Sequence, residues 1–223
     1  MQIRELIDTA QIPGGGELRL YRRGGDFIIA ISGNELMNSR MTGSEEALAV
    51  MSCARLRNAE RAHLLIGGYG MGFTLRAALA ALGPEAKVTI AELVPEIIDW
   101  AQGPMAQLAA GCLNDPRVEL LISDVAAVIA AGRGRYDAIL LDVDNGPDGL
   151  VRAANDGIYS PAGLAAAKAA LRPGGVLAIW SAAPDARFTR RLATAGYRVD
   201  EVPVRARTSG KGARHTIWFA RAD

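Results

Sequence analysis

From residue 62 onward, short continuous apolar runs alternate with helical stretches. The runs are Ala62–Gly68 (AHLLIGG), Val88–Leu93, Val118–Ile122, Tyr136–Val143 (YDAILLDV) and Val176–Trp180. Continuous runs of this kind, rather than strict apolar/polar alternation, point to parallel strands covered on both faces by helices. Helices are predicted through Thr74–Leu82, from Pro95-Glu96, from about Val125, and from Pro161 to Leu171; proline suits a first helical turn. Arg172–Gly175 turns the chain into the fifth strand. Two further β-prone runs, Tyr197–Val204 and His215–Arg221, flank the segment RARTSGKGAR and read as an antiparallel terminal hairpin. The pattern predicts an α/β, doubly wound, Rossmann-like domain over residues 44–223, with a seven-stranded, mostly parallel sheet.

The first 43 residues follow a different pattern and form a separate extension. Glu17–Tyr21 and Asp26–Ile31 are β-prone and are joined by Arg22-Arg23-Gly24-Gly25, so a small β hairpin is expected. A helical pattern then begins near Thr42, with Ser44 placed to cap it and Glu45 and Glu46 in its first turn.

Charge narrows the partners. The chain holds 25 Lys and Arg against 24 Asp and Glu, a formal net charge of +1, so no broad nucleic-acid footprint is expected. No run is apolar and long enough for a membrane span, and the N-terminus lacks a signal core, so the chain reads as cytoplasmic. Cys53 and Cys112 make no disulfide framework and no zinc spacing; buried thiols and no metal are expected.

The chemistry gathers at strand ends. Leu64–Leu79 (LLIGGYGMGFTLRAAL) places Gly68, Gly70 and Gly72 at alternate positions where the first strand hands over to a helix. Position 73 is Phe, so G-x-G-x-x-G fails, and no Walker lysine follows. A G-x-G-x-G turn instead suits transferases that bind a nucleoside sulfonium, although a tight turn alone would look the same. Glu92 ends the second strand, where a carboxylate can accept both hydrogens of a ribose diol. Asp124 follows the third strand, and Asp142 and Asp144 close the fourth. Each acid has an alternative as a helix cap or a solvated charge, but four successive strand ends carry one.

These segments carry a resemblance. In order, GGYGMGFTLRAAL, AELVPEIIDWA, DPRVELLISDV, YDAILLDV and LRPGGVLAIW resemble the spermidine/spermine synthase family, which shares the class I S-adenosylmethionine-dependent methyltransferase fold. The likeness covers roughly residues 15 to 205. It implies Glu92 on the donor ribose, Asp124 on the adenine and Asp142 near the reacting sulfonium, with Leu93 and Val125 in the same donor site. MNSRMTGSEEALA and DVDNGPDGL are more similar still to a spermidine-synthase-like subgroup.

The departures concern the amine end. Aminopropyltransferases of this family carry an acid in the glycine loop; the nearest position here is Met71. Their Tyr-His diamine grip is absent from Ser44–Val50, where only Glu45 stays in register, and their Asp-x-x-Asp-Pro signature reads DVDNGP. The expected catalytic groups are Asp142 and Asp144, with Glu45, Asn145 and Tyr159 toward the acceptor; Tyr159 has core packing as its alternative. Trp100 is a candidate adenine flank with the same alternative, and His63 and His215 are not expected to act as bases. The donor is S-adenosylmethionine or its decarboxylated form, and the partner a small amine-bearing acceptor. Methyl transfer is modestly favoured, with Arg40 or loop amides meeting the donor carboxylate. Aminopropyl transfer and a non-catalytic nucleoside-binding protein are the alternatives, and a homodimer is left open.

Overall fold

The computed structural model describes residues 3–143, 156–207, 209 and 212–222. Its N-terminal part is a four-stranded antiparallel sheet in the order β1-β2-β3-β4: Glu5–Gln11, Glu17–Arg23, Asp26–Ile31 and Asn34–Asn38. The expected hairpin is β2–β3, with Gly24 at φ +64° in its turn. Two strands flank it that the pattern did not mark. β1 is mostly exposed and β4 is only five residues long, so neither carries an apolar periodicity of its own.

The large sheet has seven strands in the order β10-β11-β9-β8-β5-β6-β7. They are β5 (His63–Gly67), β6 (Lys87–Glu92), β7 (Val118–Ile122), β8 (Tyr136–Leu141), β9 (Leu171–Ser181), β10 (Tyr197–Arg205) and β11 (Arg214–Ala222). β5 lies parallel between β6 and β8, with Leu64 opposite both Val88 and Ala138. β5 and β8, the first and fourth strands of the wound unit, are therefore neighbours, and the sheet reverses its order between them. β11 inserts antiparallel between β9 and β10. Arg172–Gly175 does not precede β9 as a separate turn but bulges within it: Tyr136 faces Leu171, and the next registered pair is Ala138 with Val176.

The helices are α1 (Gly43–Cys53), α2 (Phe73–Ala81), α3 (Pro95–Gln102), α4 (Ala106–Ala109), α5 (Val125–Ala131), α6 (Asp156–Tyr159), α7 (Pro161–Ala170) and α8 (Ala186–Thr194). Pro95 and Pro161 open α3 and α7 as expected. Ser44 is not a cap: Thr42 holds the capping position of α1 without a side-chain bond, and buried Ser44 faces elsewhere. Successive strand residues alternate between two cores. Leu64, Ile66, Val88, Ile90 and Leu140 pack with the N-terminal sheet residues Leu18, Leu20 and Ile29, whereas Leu65, Ile139 and Leu141 pack with Val125, Leu164 and Phe188. Each such side chain contributes about 1.5–3 kcal/mol on burial. Trp100, 1% exposed, donates its indole N–H to Asp8 at 2.8 Å and so ties α3 to β1; it packs in the core and is absent from the lining of the cleft described below. No helix among the described residues is long and apolar enough to cross a membrane.

Candidate active site

The carboxyl ends of β5, β6 and β8 meet at the glycine loop. Gly68, Gly70 and Gly72 have φ of +82°, +57° and +82°, so the alternation of glycines follows from backbone that other residues resist. Gly68 also has no room for a side chain: a Cβ there would sit 3.2 Å from the Asp142 carbonyl oxygen. The loop is bound to β6 by the buried Glu92 carboxylate, which accepts the Tyr69 N–H and the Val94 N–H, each at 2.8 Å. Burial raises the Glu92 acid above its ordinary value, and these backbone donors oppose the rise. Leu93 and Gly70 N–H groups add to this backbone cradle, and the Glu92 carboxyl lines the cleft in which a ligand diol would lie.

Glu92 stands in an open cleft with Leu93, Asp124, Val125, Gly68, Gly70 and Asp142 in its lining. Ile12, Leu18, Leu36 and Met37 of the N-terminal sheet close the opposite side. Asp124 is engaged locally: it caps α5 by accepting the Ala126 N–H at 2.8 Å. The cap fixes its carboxylate at the cleft wall and leaves lone pairs for an amino group.

A second cavity adjoins the first, and Gly68, Gly70, Leu36, Met37 and Asp142 line both. Asp142 therefore marks the junction. Burial pushes its acid up to about 6, while the Thr74 hydroxyl, 3.4 Å away, pulls it down. Glu45, from the first turn of α1, lines the same cavity, and its Oε2 is buried with no hydrogen-bond partner among the described residues. Burial, then the Asp142 and Glu46 carboxylates, raise the Glu45 acid well above its usual range. No Lys or Arg lines either cavity among the described residues.

Several expected groups lie elsewhere. Asp144 and Asn145 fall outside the described residues. Tyr159 is 2% exposed, packs edge-on against Phe188 and donates to the Val143 carbonyl at 3.4 Å, so it supports the end of β8 from the far core and lines neither cavity. Arg40 is held by Asp26, with Nε 2.6 Å from Oδ2, and is absent from both linings; it does not wait for a donor carboxylate. Three cavity groups were not expected. Trp180 ends β9, His215 begins β11 and Ser44 faces the His215 ring, with Oγ 2.9 Å from Nδ1. Trp180 carries the one signal that the sequence offered, since it continues the series of side chains at successive strand ends. Among the described residues, no group of His, Cys, Asp and Glu is arranged to hold a metal ion.

The chain is similar to known proteins over much of its length. Putrescine N-methyltransferase 4 of Nicotiana tabacum is 44% identical over 117 residues, 51% of this chain and 28% of that protein. Polyamine aminopropyltransferase of Mycobacterium tuberculosis is 33% identical over 162 residues, 67% of this chain and 29% of that protein. The matches thus span less than a third of these relatives' own length. The crystal structure of spermidine synthase from Thermotoga maritima has the same fold, with a TM-score of 0.78 at 19% identity over 98% of this chain and 73% of that one. Residues 42–187 match the spermine/spermidine synthase domain, and the chain belongs to that family.

Proposed function

We propose that this protein is an S-adenosylmethionine-dependent transferase that methylates a small primary amine. The observation that carries the reading is the junction itself. Asp142 lines both the open cleft at Glu92 and a cavity whose only charged side chains, among the described residues, are carboxylates. A cavity of this charge favours a cationic or amine ligand. The cleft suits an adenosyl group: the Glu92 carboxylate lines it at the end of β6, where a ribose diol would meet it, and Gly68 and Gly70 bring the loop backbone to its wall.

When bound, the donor supplies an activated carbon, whose bond to sulfur breaks with the electron pair returning to sulfur. The chain's own residues align the nitrogen and remove its proton. Asp142, ionised above about pH 6, is placed to hold the amine by hydrogen bonding and to take the proton as the new C–N bond forms. Glu45 lines the same cavity as Asp142, and burial together with the neighbouring carboxylates keeps its acid raised, so it lies at the reacting end of the cavity beside the amine.

Methyl transfer is favoured over aminopropyl transfer for two reasons. Buried Met71 stands in the glycine loop, where an acid would pair the free ammonium of a decarboxylated donor. The first turn of α2 has no side-chain cap, and Phe73 and Thr74 line the junction cavity, so its N–H groups are available to a donor carboxylate. The relative named as a putrescine N-methyltransferase supports the same direction. The test is incubation with S-adenosylmethionine or its decarboxylated form and a panel of primary amines, with products identified by mass. Methylated amine from the first donor is expected. Aminopropylated amine from the second would replace this reading with the aminopropyl one, and donor binding without turnover of any amine would leave a nucleoside-binding protein.

A further inference from the structure

The wall of the acceptor cavity is built by the next strands of the same sheet edge. Leu141 is opposite Ile179, so Asp142 and Trp180 end neighbouring strands, and Ile217 of β11 is opposite Trp180. With strands about 4.8 Å apart, Trp180 and His215 stand roughly 5–10 Å across the sheet from Asp142. That distance suits the far end of a short-chain amine whose reacting nitrogen is at Asp142.

The chemistry of this wall differs from that of the floor. The Trp180 indole N–H is buried and has no partner among the described residues. His215 packs edge-on against the Trp180 ring at 4.8 Å, and its Nδ1 is taken up with Ser44. Burial lowers the affinity of His215 for a proton, so the ring is uncharged near neutral pH. An indole N–H only donates, and an ammonium also only donates. A second ammonium at this wall would set donor against donor, whereas a hydroxyl or carbonyl oxygen would accept the orphan N–H. Of the other carboxyls lining this cavity, Glu45 lies beside Asp142 at the reacting end, and Glu35 at the rim is exposed and already accepts from Asn38, so neither is placed to compensate a second ammonium at the wall.

We infer that Trp180, supported by His215, selects an acceptor that carries an uncharged oxygen at its far end: an amino alcohol or amide-bearing amine rather than a diamine. This rests on the amine-transferase reading, but it can fail separately from it. An unpartnered donor left facing the wrong group discriminates strongly, because the buried N–H cannot recover its hydrogen bond from solvent.

The experiment compares putrescine with the matched amino alcohol, in which one amine is replaced by a hydroxyl. Both are titrated by calorimetry into the protein saturated with S-adenosylhomocysteine, whose own binding is measured first. The amino alcohol is expected to bind roughly tenfold tighter. In Trp180→Phe, which keeps an aromatic ring and removes the donor, the two should bind equally. Tighter binding of putrescine by the native protein, or a preference unchanged in Trp180→Phe, overturns the inference. Should Trp180→Phe fail to bind S-adenosylhomocysteine, His215→Gln takes its place; an undiminished preference there overturns the inference equally. Failure of the native protein to bind S-adenosylhomocysteine would instead remove the transferase reading beneath it.

Discussion

Replacing Asp142 by Asn should stabilise the fold above pH 6 while abolishing transfer. The carboxyl at the cavity junction is raised by burial from the ordinary 3.8 to about 6. Below pH 4 the folded and unfolded chains both hold its proton, and it contributes nothing. Between about pH 4 and 6 the unfolded chain releases the proton and the folded chain keeps it, so the folded state binds more protons and stability falls as pH rises. Above 6 the loss is complete. A rise of about two pKa units corresponds to roughly 3 kcal/mol, and cavity water screens part of it, leaving about 2–3 kcal/mol. Asparagine has the same shape, and its carbonyl oxygen can still accept from Thr74. It cannot ionise, and it relieves the repulsion that helps to hold up the Glu45 acid. Urea unfolding of both proteins at a series of pH values from 4 to 8 measures this directly. Native stability should decline through the window, and the variant should show a shallower decline and a higher midpoint at pH 8. Equal slopes, or a variant less stable than the native protein at pH 8, would refute the assignment of a strained acid to this junction.

Two further outcomes follow from the cleft. Glu92→Ala removes the carboxylate that lines the cleft and frees the Tyr69 and Val94 N–H groups of the loop, so affinity for S-adenosylhomocysteine should fall by about 1–3 kcal/mol by calorimetry. Gly72→Ala should destabilise the protein by about 2–4 kcal/mol in chemical unfolding, since it combines a left-handed backbone with overpacking. The added Cβ would sit 2.5 Å from the Tyr69 hydroxyl oxygen, at φ +82°.

The wound sheet was legible because its information is local. Continuous apolar runs demand two covered faces wherever they occur, and a glycine at every second loop position announces positive φ before any contact is known. Glu92 and Asp142 could be read in the same way, as acids at the ends of buried strands that come together at a switch point. β1 and β4 were hidden because their stability comes from pairing with β2 and β3 and from contacts such as Asp8 with Trp100, not from their own pattern.

What the sequence could not decide was which long-range neighbour each polar group would find. Arg40, Ser44 and Tyr159 each had a chemically reasonable use, and each went to a different partner: Asp26, His215 and the Val143 carbonyl. Trp180 and His215 became a cavity wall only because β11 inserts antiparallel beside β9, a pairing between segments some forty residues apart. Periodicity fixes which face a side chain takes, and turn chemistry fixes where the chain reverses. The meeting of Glu45 with Asp142, nearly a hundred residues along, depends on α1 packing over the carboxyl edge of the finished sheet. The raised acids arise there, because desolvation and mutual repulsion exist only once the cavity has closed around them.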